Sequence, residues 1–162
     1  MRIALILALL LVGCSTPKPV DLPNFRAVSG HAGVYRGGQP TEKGWAVLFE
    51  LGISNVIKLN VAEYEGTDDP ARALGMTVVE LPIDTLHQTL LKPSLLTLSN
   101  AVNSITPGTY VHCSHGQDRT GIVIGCLRIW RDGWTNSDAY DEMRAHGFHP
   151  SLVGLQERWN HL

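Results

Sequence analysis

Ten residues near the middle of the chain hold its most reactive combination of side chains: His112-Cys113-Ser114-His115-Gly116-Gln117-Asp118-Arg119-Thr120-Gly121. Thr109-Tyr110-Val111 before them is apolar enough for a strand, and Ile122 to Trp130 after them for a long helix. A strand, a tight loop and a helix N-terminus in that order present unpaired backbone N–H groups and a partial positive charge to an anion. The amides of Ser114, His115, Gly116, Gln117, Asp118 and Arg119 can curl around a tetrahedral oxyanion while Arg119 grips two of its oxygens through its planar fork. The same positive field favours Cys113 as a thiolate nucleophile. Thr120 can donate its hydroxyl to that thiolate and ease its departure.

The string His-Cys-x-x-Gly-x-Asp-Arg-Thr-Gly, with Arg119 six residues after Cys113, resembles the signature of the cysteine-dependent protein tyrosine phosphatase superfamily, in its small dual-specificity-like branch. Tyr35-Arg36-Gly37-Gly38-Gln39-Pro40 resembles a Tyr-Arg-Ser-x-Gln-Pro-like stretch that precedes the first helix in small bacterial, fungal and plant members. Gly37 stands where a serine is common. The resemblance implies a phosphocysteine mechanism without cofactor or metal, and a general acid about 30 residues before the cysteine. Asp84 lies 29 residues before Cys113, after a strand, and fits that place; His87 is its neighbour and rival. Asp118 is a further candidate, because some lipid phosphatases of the superfamily also carry Asp-Arg in this loop. It either acts as the acid or sets the loop's shape. His112 is expected to orient the loop or tune the cysteine from behind. Arg36 either adds positive potential near the phosphate or bridges loops, and Lys58 is a further cation available to substrate.

The elements that must position these groups follow from apolar patterning. Thr41 can cap a helix running to Leu51, with Trp45, Leu48 and Leu51 on one face, and Gly52 stops it. Ser54 to Asn60 is a strand, so strand, helix and strand suggest a crossover that leaves a parallel pair. Pro70 to Gly75 is a short helix and Met76 to Pro82 a strand. A helix begins around Lys92-Pro93-Ser94 and runs to Ile105. Past Gly133, Asn136-Ser137 can cap a helix to Ala145, and Ser151 opens the last one. The expectation is an α/β fold with a central, mostly parallel sheet of four to five strands flanked by helices.

Residues 1–13 read as a targeting segment, with Arg2 followed by ten apolar residues, Ile3 to Val12. Ten is half of the roughly 20 that span a bilayer, but suits a signal peptide. Leu11-Val12-Gly13-Cys14 looks like a bacterial lipobox, so Cys14 is expected to carry lipid. Ser15, in place of Asp, looks like the outer-membrane sorting pattern and implies an envelope lipoprotein facing the periplasm or the surface. Residues 14–24, with three prolines, form a tether, and 25–162 a single domain. Once Arg2 is removed, 12 basic residues face 15 acidic ones, which gives no footprint for nucleic acid. Cys113 and Cys126 cannot make a disulfide framework, and Cys126 is expected in the core.

The acidic stretch from Glu63 to Asp69 stands where related chains often carry a basic residue, and argues against a very highly charged substrate. The substrate expected first is nevertheless an inositol phosphate or similar organic phosphate. A phosphotyrosyl peptide comes second. A non-catalytic anion-binding lipoprotein or a structural envelope protein would leave the nucleophile unexplained. Arsenate reduction or sulfur transfer would want resolving thiols.

Overall fold

The computed structural model describes residues 21–61, 66–84 and 92–162. Residues 1–13, where a signal segment was expected, and Cys14, Glu63, Glu65 and His87 lie outside them. Five strands form one sheet in the order β1-β2-β5-β3-β4. They are β1 (Arg26–Ala27), β2 (Val34–Gly37), β3 (Asn55–Lys58), β4 (Thr77–Glu80) and β5 (Thr109–His112). All contacts but one are parallel; the exception is β1, which pairs antiparallel with β2 through Arg26 opposite Arg36. This short strand arises from a lead-in stretch with no alternating pattern, which is why the sequence did not announce it.

The expected crossover needs one correction. β2 and β3 run parallel and are joined by α1 (Glu42–Glu50), yet they do not touch: β5 lies between them and pairs with both. The strand that delivers Cys113 is therefore central. Its carboxyl end gathers the loops that follow β2, β3 and β4, the position where open parallel sheets bind ligands.

Successive side chains of a strand face opposite sides of the sheet, and both sides are covered. Val56 and Tyr110 join Leu22, Trp45 and Leu48 on the face of α1 and of α2 (Asp69–Ala73). Ile57 and Val111 join Leu98 and Val102 of α3 (Leu95–Asn103) and Ile122, Val123 and Leu127 of α4 (Asp118–Trp130) on the other. α4 is buried almost all round because it packs against β5, α3, α5 (Asn136–Ala145) and α6 (Val153–Trp159).

Capping follows side-chain chemistry. Thr41 Oγ1 accepts the N–H of Gly44 at 3.2 Å, and Ser94 Oγ that of Thr97 at 2.9 Å. α5 is capped by Thr135, which accepts from Asp138 N–H at 3.1 Å; the expected caps, Asn136 and Ser137, are already helical. α4 starts at Asp118, four residues ahead of its apolar run, so Asp118 and Arg119 belong to its first turn.

Candidate active site

Cys113 follows β5 directly and is 2% exposed. The geometry of its loop is set from outside. Three consecutive carbonyls are each taken by a donor from a distant segment: that of Ser114 accepts from Gln39 N–H at 3.1 Å, that of His115 from Asn24 Nδ2 at 2.7 Å, and that of Gly116 from Arg36 Nη2 at 3.2 Å. In a planar peptide the carbonyl and the next N–H point in opposite senses. Tying these carbonyls outward turns the N–H groups of His115, Gly116 and Gln117 inward. The Gly116 N–H reaches Cys113 Sγ at 3.3 Å.

Gly116 has φ +74°, and a Cβ there would come within 2.3–2.6 Å of the backbone of Gly37 and Gly38. Both observations require glycine. Gly37 is constrained by its neighbour on β5: a Cβ would lie 2.3 Å from Tyr110 Oη, which donates to the Gly38 carbonyl at 2.7 Å. That hydroxyl occupies the space a serine side chain would need, which explains the departure from the related Tyr-Arg-Ser pattern. Burial first, with Cys113 and Asp68 nearby adding to it, pushes the Tyr110 phenol well above its usual range, so it remains a donor.

Arg119 is 5% exposed; Nη2 donates to Ser114 Oγ at 3.0 Å and Nη1 to the Ile83 carbonyl at 3.4 Å. The second contact fixes the start of the loop that carries Asp84, since Ile83 also donates its N–H to Leu59 at 2.8 Å. Asp84 is half-buried beside it. Asp118 faces another way: its carboxylate accepts the backbone N–H of His149 at 2.7 Å and lies 3.0 Å from His149 Nδ1. Thr120 Oγ1 donates to the Gly37 carbonyl at 3.5 Å. His115 is exposed at the loop's tip, and Gln117 rests against Gly147.

Two expected cations are held away from the loop's interior. Arg36, 2% exposed, donates from Nη2 to the Gly116 carbonyl at 3.2 Å. Lys58, 1% exposed, donates to the Gly66 carbonyl at 2.7 Å and sits 3.7 Å from Asp68. Asp68 was legible only as one member of an acidic stretch; it is fully buried and lies 2.9 Å from His112 Nε2. Gln39 Nε2 donates to it at 2.9 Å. Burial works to raise the Asp68 pKa, but the hydrogen bond and charge of His112, with Gln39 and Lys58, hold it below the usual carboxylate range. His112 also stacks on Tyr110 and meets Trp45 edge-on.

A carboxylate whose folded pKa is depressed adds stability above its unfolded pKa and loses it as pH falls through the folded value. Asp68→Asn is therefore expected to cost about 3 kcal/mol at pH 7 by leaving buried cations unpaired, and to flatten the acid limb of stability. Urea midpoints across pH 2–7 check this; an unchanged acid limb would assign the loss to another carboxylate.

Cys126 is buried in the core as expected, and burial pushes its thiol up to about 12, which leaves no thiolate there at neutral pH. Cys113 and Cys126 are both free.

A family model described as "DSP-PTPase phosphatase fused to NAD+ Kinase" matches residues 17–157. The chain belongs to that family. Its curated relatives include the inositol diphosphatase SIW14 of Saccharomyces cerevisiae, 28% identical over 84% of this chain and 49% of the yeast protein. The phosphatidylglycerophosphate phosphatase PTPMT2 of Arabidopsis thaliana is 29% identical over 78% of this chain and 59% of that protein. This chain thus spans about half the length of the relatives it matches. Among solved structures, the Siw14 catalytic core superposes with a TM-score of 0.74 at 22% identity, covering 90% of this chain and 89% of that one. Pseudomonas aeruginosa TpbA gives 0.63 at 18% identity, covering 91% and 93%. These likenesses establish the dual-specificity phosphatase fold: an α/β, mostly parallel sheet flanked by helices. The family match places the chain in the phosphatase superfamily that this fold serves.

Proposed function

We propose that the domain hydrolyses phosphoryl groups from a small phosphorylated substrate in two steps. Cys113 Sγ attacks phosphorus, the bond to the leaving oxygen breaks, and Asp84 protonates that oxygen. Water then attacks the phosphocysteine, Asp84 takes its proton, and phosphate leaves as the thiolate is restored. The observation that carries this reading is the outward tie of the Ser114, His115 and Gly116 carbonyls. It preorganises inward amides beside Cys113 and Arg119, and donors fixed before the reaction stabilise developing charge at little reorganisation cost. A pure anion receptor has no need of a buried cysteine beneath those amides.

Inositol phosphates are the substrate class we favour. The acidic stretch weighs less against them than its sequence suggests, because Asp68 is withdrawn into the interior, 2.9 Å from His112 Nε2 and 3.7 Å from Lys58 Nζ. The yeast relative is named an inositol diphosphatase, as are two from rice. A protein phosphatase is the second reading, supported by TpbA of Pseudomonas aeruginosa, named a dual specificity protein phosphatase and 28% identical over 71% of this chain and 51% of that protein. Phosphate release should be compared over inositol hexakisphosphate, a diphosphoinositol, phosphotyrosyl peptides and a sugar phosphate. The favoured reading expects the highest kcat/KM on an inositol compound. A preference for phosphotyrosyl peptide would replace it with the second.

A further inference from the structure

Among the described residues, Asn24 is the non-glycine residue that adopts a positive φ, 51°. A side chain held in that region needs surroundings that over-determine it, and such positions gather at functional sites. Its neighbours in the chain are all anchored. Leu22 is 3% exposed, in the cluster of Trp45 and Tyr110. The Pro23 carbonyl accepts from Gly38 N–H at 2.7 Å, and the Asp21 carbonyl from Thr41 N–H at 3.1 Å. On the other side the Phe25 ring stacks on that of Tyr35, with centroids 5.2 Å apart. Asn24 is exposed between these anchors and turns to the catalytic loop, where Nδ2 donates to the His115 carbonyl at 2.7 Å.

That carbonyl belongs to the same peptide unit as the Gly116 N–H, the group that reaches Cys113 Sγ at 3.3 Å. A planar peptide carries the two in opposite senses, so a hold on one aims the other. The unit needs such a hold. Glycine takes either sign of φ at similar cost, so Gly116, at φ +74°, does little by itself to fix which way this peptide faces. Turned over, the unit would set the His115 carbonyl oxygen toward Cys113 and the anion, a repelling acceptor in place of a donor. The neighbouring carbonyls are held from elsewhere, that of Ser114 by Gln39 N–H and that of Gly116 by Arg36.

We infer that Asn24 is a positioning residue for the proposed phosphoryl transfer: through the His115–Gly116 peptide it keeps a backbone N–H aimed at Cys113 and at the anion seated over it. The role rests on the phosphatase reading. It makes the lead-in ahead of β1 part of the support of the catalytic loop.

The parent, Asn24→Gly and Asn24→Asp are compared as 15N-labelled full chains by NMR. Glycine accepts the positive φ and removes the donor. Aspartate also tolerates that backbone and keeps the shape, but an ionised carboxylate can only accept. Sulfate is the probe, because this tetrahedral anion keeps its charge between pH 7 and pH 4. At pH 7 both variants should bind it about five- to tenfold more weakly than the parent, the weight of one hydrogen bond. Towards pH 4 the introduced carboxyl, whose ordinary pKa is about 3.9, gains a proton and can donate again. Asn24→Asp should then approach the parent while Asn24→Gly stays weak; relief of charge repulsion alone would raise it only to the level of Asn24→Gly. The Gly116 amide resonance needs no ligand. It should move in Asn24→Gly, and return toward its parent position in Asn24→Asp at pH 4. Parent-like sulfate affinity in Asn24→Gly, no rescue of Asn24→Asp beyond the glycine variant, or an unmoved Gly116 amide would each overturn the role. A parent that releases no phosphate from any ester would fail the phosphatase reading alone, since the Gly116 amide still decides what Asn24 does to the loop.

Discussion

Cys113→Ser is expected to leave a protein that still binds inorganic phosphate and turns over phosphate esters at least roughly 10⁴-fold more slowly. The anion contacts come from the backbone amides and Arg119, which the substitution does not touch, and serine fits where cysteine sat. What the substitution would remove is the proposed nucleophile. A hydroxyl is scarcely ionised where a thiol can be, and the loop supplies positive potential but no adjacent general base to compensate: the imidazole of His112 is turned to Asp68 at 2.9 Å. Steady-state release of phosphate checks the rate, and a phosphate titration followed by NMR checks that the cradle survives. Retained turnover would remove Cys113 as the nucleophile, and lost phosphate binding would mean that the substitution had disturbed the loop itself.

Asp84→Asn is expected to slow hydrolysis of an ester with an alcohol leaving group by roughly 10²–10³-fold, the usual weight of a positioned general acid. A general acid works only while protonated, so the wild-type rate should decline as pH rises through its titration, and the variant should lose that decline. With a diphosphate substrate the departing group is itself a phosphate, a much weaker base than an alkoxide. The same variant should then lose less than about tenfold. Asp118→Asn should behave differently, because the Asp118 carboxylate is engaged by the His149 N–H and ring at 2.7 and 3.0 Å. Its expected effect is on stability and on the placement of the turn before α6. Should Asp118→Asn remove the alkaline decline while Asp84→Asn keeps it, the acid is Asp118.

These two aspartates show where reading the chain alone ran out. Spacing from Cys113 selected Asp84, and adjacency to Arg119 selected Asp118. Nothing in either count reveals that Asp118 meets a partner 31 residues further on. Lys58 and Arg36 make the same point for cations. A lysine closing a strand is normally solvated; here Gly66 and Asp68 hold it inside. Asn24 carried a faint signal, since asparagine is among the few non-glycine residues that tolerate positive φ, and it adopts φ 51°.

The sequence by itself determined the strand, loop and helix around Cys113. The determinants of that unit are local: an apolar strand, a glycine with left-handed backbone, and an arginine in the first helical turn. The apolar run of α4 likewise announced a helix buried on most sides. Only the tertiary structure decided which way the loop's amides face. That depends on Asn24 and Arg36, which reach its carbonyls across 91 and 80 residues, and on the Asp68–His112 pair across 44. A hydrogen bond has no sequence period, and a buried partner and a solvated one are the same letter until the chain is packed.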